Sequence, residues 1–126
     1  MTGKISKIEI QDFDLWKKKE QKNRPLYSFS MDLTARCNLN CRHCYINLPA
    51  KDQIAMAKEL SLEEIEAIAD QAVALGAVWV LLTGGEPLLR PDFIDIYLML
   101  KRKGLLVSVF TNATLFQTKH INLFKN

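Results

Sequence analysis

Residues 26–34 alternate strictly. Tyr27, Phe29, Met31 and Leu33 occupy one set of positions; Ser28, Ser30, Asp32 and Thr34 occupy the other. A period of two places each set on its own side of an extended chain, so the pattern predicts a strand with one apolar face. Residues 61–75 change period. Leu62, Ile65, Ile68 or Ala69, Ala72 and Leu75 recur at helical spacing. Ser61 with Glu64 is a capping-box pattern, acidic residues crowd the first turn, and Gly76 is a natural stop. Residues 77–83, Ala-Val-Trp-Val-Leu-Leu-Thr, are apolar on both faces, which predicts a parallel strand buried on both sides.

Gly84 and Gly85 end that strand. Pro91 can open a second helix, with Phe93, Ile96 or Tyr97 and Leu100 on one stripe. Asp92 stands where it could cap that helix. Lys101, Arg102 and Lys103 fall in its last turn, and Gly104 closes it. Residues 105–111 predict a third strand, residues 112–114 a turn, and residues 115–126 the start of a further helix. Residues 46–60 show no clear period: Pro49 breaks them, Ile54, Met56 and Leu60 ask for some burial, and a loop with one helical turn accommodates both. Residues 1–25 read as a leader packed loosely on the domain. They carry Ile5, Ile8, Ile10, Phe13, Leu15 and Trp16, then charge, and end at Pro25.

Strand, helix, strand, helix, strand and part-helix give an α/β fold. Right-handed crossovers make the sheet parallel and cover it with helices. Ligands of such folds bind beyond the carboxyl ends of the strands. Three chemically distinctive stretches fall there. They are residues 37–44 after the first strand, residues 84–87 after the second, and Thr111 with Asn112 after the third.

The first stretch, Cys-Asn-Leu-Asn-Cys-Arg-His-Cys, contains all three cysteines of the chain, Cys37, Cys41 and Cys44. A loop can bring three such thiols to one point as a soft, anionic site for a transition metal or an iron–sulfur cluster. A disulfide framework suits an even count in an oxidising compartment, and here the count is odd. A structural zinc would need His43 or His120 as a fourth ligand and lacks a second Cys-x-x-Cys pair. Three plain buried thiols are the remaining reading.

Composition places bounds on these readings. Hydrophobic residues make up 48% of 126 positions, enough for a packed core. With 17 basic and 14 acidic residues the net charge is +3, which argues neither for nucleic acid nor for a membrane surface. Lys17, Lys18, Lys19, Lys22 and Arg24 read as a solvated segment. No stretch reaches the ~18 apolar residues of a membrane span, and the N-terminus lacks the apolar segment of a signal peptide. The expected location is the cytoplasm, where thiols stay reduced.

Cys-x-x-x-Cys-x-x-Cys followed by Tyr45, together with Gly84-Gly85-Glu86-Pro87, resembles the radical S-adenosylmethionine family from about Leu26 to the last residue. The resemblance implies that Cys37, Cys41 and Cys44 hold a [4Fe-4S] cluster whose fourth iron is chelated by S-adenosylmethionine. It implies that Gly84, Gly85 and Glu86 receive the amino group of that cofactor, with the Glu86 carboxylate suited to an ammonium. The glycines, lacking Cβ, would let the ligand approach the backbone. Thr111 and Asn112 are implied to lie near the cofactor, although Asn is also an ordinary turn residue. His43 is implied to shield or orient the cluster.

The implied activity is one-electron cleavage of S-adenosylmethionine to a 5′-deoxyadenosyl radical that abstracts hydrogen from a peptide or small-molecule substrate. A flavodoxin or ferredoxin would serve as electron donor. The local sequence is most similar to the branch that modifies peptides or assembles cofactors. The implied fold is a partial (β/α)6 TIM-like barrel, of which residues 26–126 would be a truncated N-terminal half, active or an inert remnant. Its third strand would then present an unpaired apolar edge, a hazard for solubility.

Overall fold

The structure is a computed structural model and describes residues 25–125. Most of the expected leader, and its basic segment, lie outside the described residues. The first element is strand β1, Ser28–Asp32. Two short strands, β2 (Arg36–Cys37) and β3 (Leu48–Pro49), follow, then helices α1 (Gln53–Ala57) and α2 (Leu62–Ala74). Strand β4 (Trp79–Thr83), a single 3-10 turn at Pro87–Leu89, helix α3 (Phe93–Arg102), strand β5 (Leu106–Val109) and helix α4 (Thr118–Phe124) complete the order.

β1, β4 and β5 form a parallel sheet in the order β1-β4-β5. Met31 is opposite Leu82, and Leu82 is opposite Val109. Equal crossover handedness brings α2 and α3 to the same side of this sheet. Ile65, Ala69 and Ala72 of α2 and Phe93, Ile96 and Leu100 of α3 close over Met31, Val80 and Leu82 as one core. The capping box is present: the Ser61 N–H donates to Glu64 Oε2 at 2.8 Å and the Glu64 N–H to Ser61 Oγ at 3.2 Å. Asp52 caps α1 through the Ala55 N–H, giving the helical turn expected between residues 46 and 60.

Three expectations need correction. β4 buries one face, not both: Val80 and Leu82 are inaccessible, whereas Trp79 on the opposite face is 50% exposed. The reason is that both crossover helices lie on one side. Tyr27 and Leu75 are also exposed, because they flank β1 and α2 rather than belong to them. Asp92 stands at the N-cap of α3 but makes no side-chain cap; its carboxylate takes the Arg90 guanidinium at 2.6 and 2.9 Å.

No helix among the described residues is long and apolar enough to cross a membrane. The carboxyl ends of β1, β4 and β5 share one rim, and the cysteine loop, the Gly84–Pro87 turn and Thr111–Asn112 all leave from it.

Candidate metal and cofactor site on the sheet rim

The cysteine loop has a built base. β2 and β3 pair in parallel, and the Leu48 N–H donates to the Ala35 carbonyl at 3.0 Å, so residues 38–47 form an excursion pinned at both ends. Two buried guanidiniums fix the chain entering it. Arg36, 4% exposed, donates to Glu59 at 2.7 and 3.2 Å and to the Ala50 carbonyl at 2.8 Å. The Thr34 hydroxyl donates to the same Glu59 at 2.5 Å. Arg90 reaches the Leu33 and Leu60 carbonyls at 3.2 and 2.9 Å.

Burial opposes ionisation of Glu59, but the hydrogen bonds from Arg36 and Thr34, with the charges of Arg36 and Arg90, outweigh it and hold the carboxyl below its usual value. The Arg90 hydrogen bond does the same for Asp92 against a smaller burial penalty. Neither arginine was singled out from the sequence. The available signal was weak: Arg36 is a lone charge among residues 33–41, and Arg90 stands between Leu89 and Pro91, two residues before Asp92.

Within the loop Cys37 is half-buried, and Cys41 and Cys44 are exposed; all three are free thiols. The Cys44 N–H donates to the Cys41 carbonyl at 3.1 Å and the Cys44 thiol to the Ile46 carbonyl at 3.0 Å. Among the described residues, no three or more of His, Cys, Asp and Glu stand at the spacing of a metal site. The donor chemistry fits an iron–sulfur cluster with one iron left open: three soft sulfurs on one base-pinned loop, two of them facing solvent. It fits zinc less well. His120 is buried on α4, packs on the rings of Phe93 and Phe116, and accepts the Gln117 N–H on Nδ1 at 3.0 Å. Burial, with a smaller contribution from Lys119, holds its imidazole below the usual value. His43 is exposed in the loop beside Cys44.

The two glycines are also required by the packing of the chain itself. A Cβ on Gly84, at φ +130°, would lie 2.3 Å from the Thr34 carbonyl oxygen, and one on Gly85 would lie 2.3 Å from that of Arg36. Both are far inside contact distance, so only glycine lets this turn press against the entry to the cysteine loop. Two hydrogen bonds seal the contact, Gly85 N–H to the Thr34 carbonyl at 2.7 Å and Glu86 N–H to the Arg36 carbonyl at 2.9 Å.

Glu86 is fully buried. Its Oε1 accepts the Leu88 N–H at 2.9 Å and the Thr111 hydroxyl at 2.8 Å; its Oε2 accepts the Asn112 N–H at 2.8 Å. The carboxylate therefore points into the protein and clamps the third rim segment to the second. Asn112 continues the chain of contacts: its amide nitrogen lies 3.0 Å from Asn38 Oδ1 and 3.8 Å from Cys37 Sγ. The three sequence motifs thus meet by direct bonds. The second and third of them border an open cleft between β4 and β5 of about 410 Å³, lined by Thr83, Gly84, Gly85, Val109, Phe110, Thr111 and Asn112.

The chain is similar to known proteins. Residues 31–126 match the family described as the Radical SAM superfamily. The chain is 40% identical over 84 residues to "Fe-coproporphyrin III synthase" of Methanosarcina barkeri, covering 67% of this chain and 20% of that protein. It is 36% identical over 102 residues to "Probable GTP 3',8-cyclase" of Methanothermobacter marburgensis, covering 79% of this chain and 32% of that protein. "AdoMet-dependent heme synthase" of Methanosarcina barkeri is 40% identical over 84 residues, covering 67% of this chain and 23% of that protein. The chain therefore spans between a fifth and a third of the length of these relatives. With the family match covering residues 31–126, this chain belongs to the radical SAM superfamily of enzymes.

Proposed function

We propose that residues 26–126 are the first half of a partial (β/α)6 barrel that holds a [4Fe-4S] cluster on Cys37, Cys41 and Cys44 and S-adenosylmethionine in the cleft between β4 and β5. The observation that supports it best is the direct bonding of the three rim motifs, from Gly85 to Thr34, from Glu86 to Asn112, and from Asn112 to the neighbourhood of Cys37. A rim joined this way sets the distance between a cysteine-held group and a ligand lying against Gly84, Gly85 and Thr111. When bound, the cluster supplies the electron that cleaves S-adenosylmethionine to methionine and a 5′-deoxyadenosyl radical.

The residues of the chain divide the remaining work. Gly84 and Gly85 form the floor of the cleft, and Thr83 and Thr111 line it. Glu86 holds the cleft open at fixed width from inside, so contacts to the ammonium of the cofactor fall to the backbone of the glycine turn. Phe110, 66% exposed, lies against the same cleft and offers an apolar wall that would exclude water from a bound adenosyl group. The protein's part is position and shielding, since the cofactors carry the difficult chemistry.

The names of the relatives favour a small heterocyclic substrate over a peptide. A cytoplasmic location, where thiols stay reduced, and a flavodoxin or ferredoxin as electron donor complete the proposal. The test is anaerobic reconstitution with iron and sulfide, followed by equilibrium dialysis against labelled S-adenosylmethionine. Saturable binding by the reconstituted protein, lost with Cys41→Ala, is the expected result. Uptake of one zinc in place of iron, with no retention of S-adenosylmethionine, would overturn the proposal.

A further inference from the structure

Two hydrogen bonds among the described residues end on a cysteine sulfur, and both go to Cys37. One comes from the Leu39 N–H at 3.4 Å, the other from the Asn112 side-chain amide at 3.8 Å. Cys37 is also the half-buried member of the three. Its sulfur is thus in a different electrostatic setting from the other two.

The orientation of the Asn112 amide follows from its partners. The Thr114 backbone N–H lies 2.9 Å from one end of the amide, and a backbone N–H can only donate, so that end is the oxygen. The Thr114 hydroxyl adds a second bond to it at 2.7 Å. The NH2 end then has two protons and two acceptors, Asn38 Oδ1 at 3.0 Å and Cys37 Sγ at 3.8 Å. The Asn112 backbone is itself tied to Glu86. Every group that could let this amide swing away is engaged.

We infer that Asn112, held by Glu86 and Thr114, is a hydrogen-bond donor to the Cys37 thiolate and raises the reduction potential of the centre that Cys37 helps to hold. The inference rests on the cluster assignment proposed above. Its physical basis is simple. One-electron reduction adds negative charge to the centre and its sulfur ligands. A donor aimed at one of those sulfurs stabilises the reduced state more than the oxidised state. Asn112 tunes and positions; it forms no bond to iron. The same amide bridges to Asn38 at the start of the cysteine loop, so Glu86 in the second motif is mechanically connected to the sulfur in the first.

The test is a mediator titration of the reconstituted protein, followed by electron paramagnetic resonance of the reduced centre. Asn112→Ala should bind the same iron but reduce less readily, with the reduced-to-oxidised ratio at fixed solution potential falling roughly three- to tenfold. Asn112→Asp keeps the acceptor for Thr114, replaces the donor with a negative charge, and should fall further. Should Asn112→Ala shed iron, Asn112→Ser is judged on the same criterion. Parent-like titration of Asn112→Ala, or of Asn112→Ser in that event, at full iron content would overturn the inference while leaving the cluster assignment standing. Failure of the parent to form a cluster would overturn both.

Discussion

Glu86→Gln replaces one oxygen of a buried, three-coordinated carboxylate with an NH2 group. The two backbone donors, Leu88 N–H on Oε1 and Asn112 N–H on Oε2, approach different oxygens. Whichever way the amide turns, its NH2 meets one of them head-on. The Thr111 hydroxyl can rotate to accept, but a backbone N–H cannot. One buried N–H therefore loses its acceptor, at a cost of about 1–3 kcal/mol, and the surviving bonds lose their charge assistance. Gln is cheaper to bury than an ionised carboxylate, which offsets part of this. The net expectation is a loss of about 2–4 kcal/mol. In urea, with a slope of about 1.5 kcal/mol per molar, the midpoint should fall by roughly 2 M at unchanged slope. Thr111→Val removes only one donor and should cost about 1 kcal/mol. A Glu86→Gln midpoint matching the parent would refute the reasoning, because it would mean that the carboxylate does not clamp the two rim segments.

Gly85→Ala would place a Cβ 2.3 Å from the Arg36 carbonyl oxygen, against backbone that cannot move without shifting Cys37. It should lower the melting temperature by about 10 °C or more and reduce iron uptake; a parent-like melt would count against the packing role of the glycines. Glu59 is held below its usual carboxylate value in the folded state, so its contribution is complete above the ordinary value of about 4.5 and is lost as pH falls through the depressed value. Glu59→Gln should accordingly be less stable near neutrality and show a flatter urea-midpoint profile below that pH. Parallel profiles for parent and variant would contradict the Arg36–Glu59 pairing.

Much of the architecture was legible because it depends on local pattern. The alternation from Tyr27 to Leu33 and the Ser61–Glu64 box name β1 and the start of α2 from a few adjacent residues. The convergence of three motifs on one rim followed from topology alone. The half-open sheet was not legible: Trp79 and Val80 are equally apolar in sequence, and only the placement of α2 and α3 on one side separates them. The packing demand for glycine at positions 84 and 85 was not legible either, because it comes from the Thr34 and Arg36 carbonyls, distant in sequence. Glu86 carries the same lesson. Beside two glycines at a strand end, a carboxylate reads as a group for binding something outside the chain, whereas its partners are Thr111 and Asn112, 25 and 26 residues away. Arg36 and Arg90 look like surface charges until the carbonyls and carboxylates that bury them are assembled by the fold.

The most direct test of the central claim is electron paramagnetic resonance of the anaerobically reconstituted, reduced protein, recorded with and without S-adenosylmethionine. The account predicts a [4Fe-4S] signal that changes shape on adding S-adenosylmethionine, because a cluster held as proposed by Cys37, Cys41 and Cys44 would have one iron open to the cofactor. A signal indifferent to S-adenosylmethionine would contradict that geometry, and no signal at all would contradict the assignment of Cys37, Cys41 and Cys44 as cluster ligands.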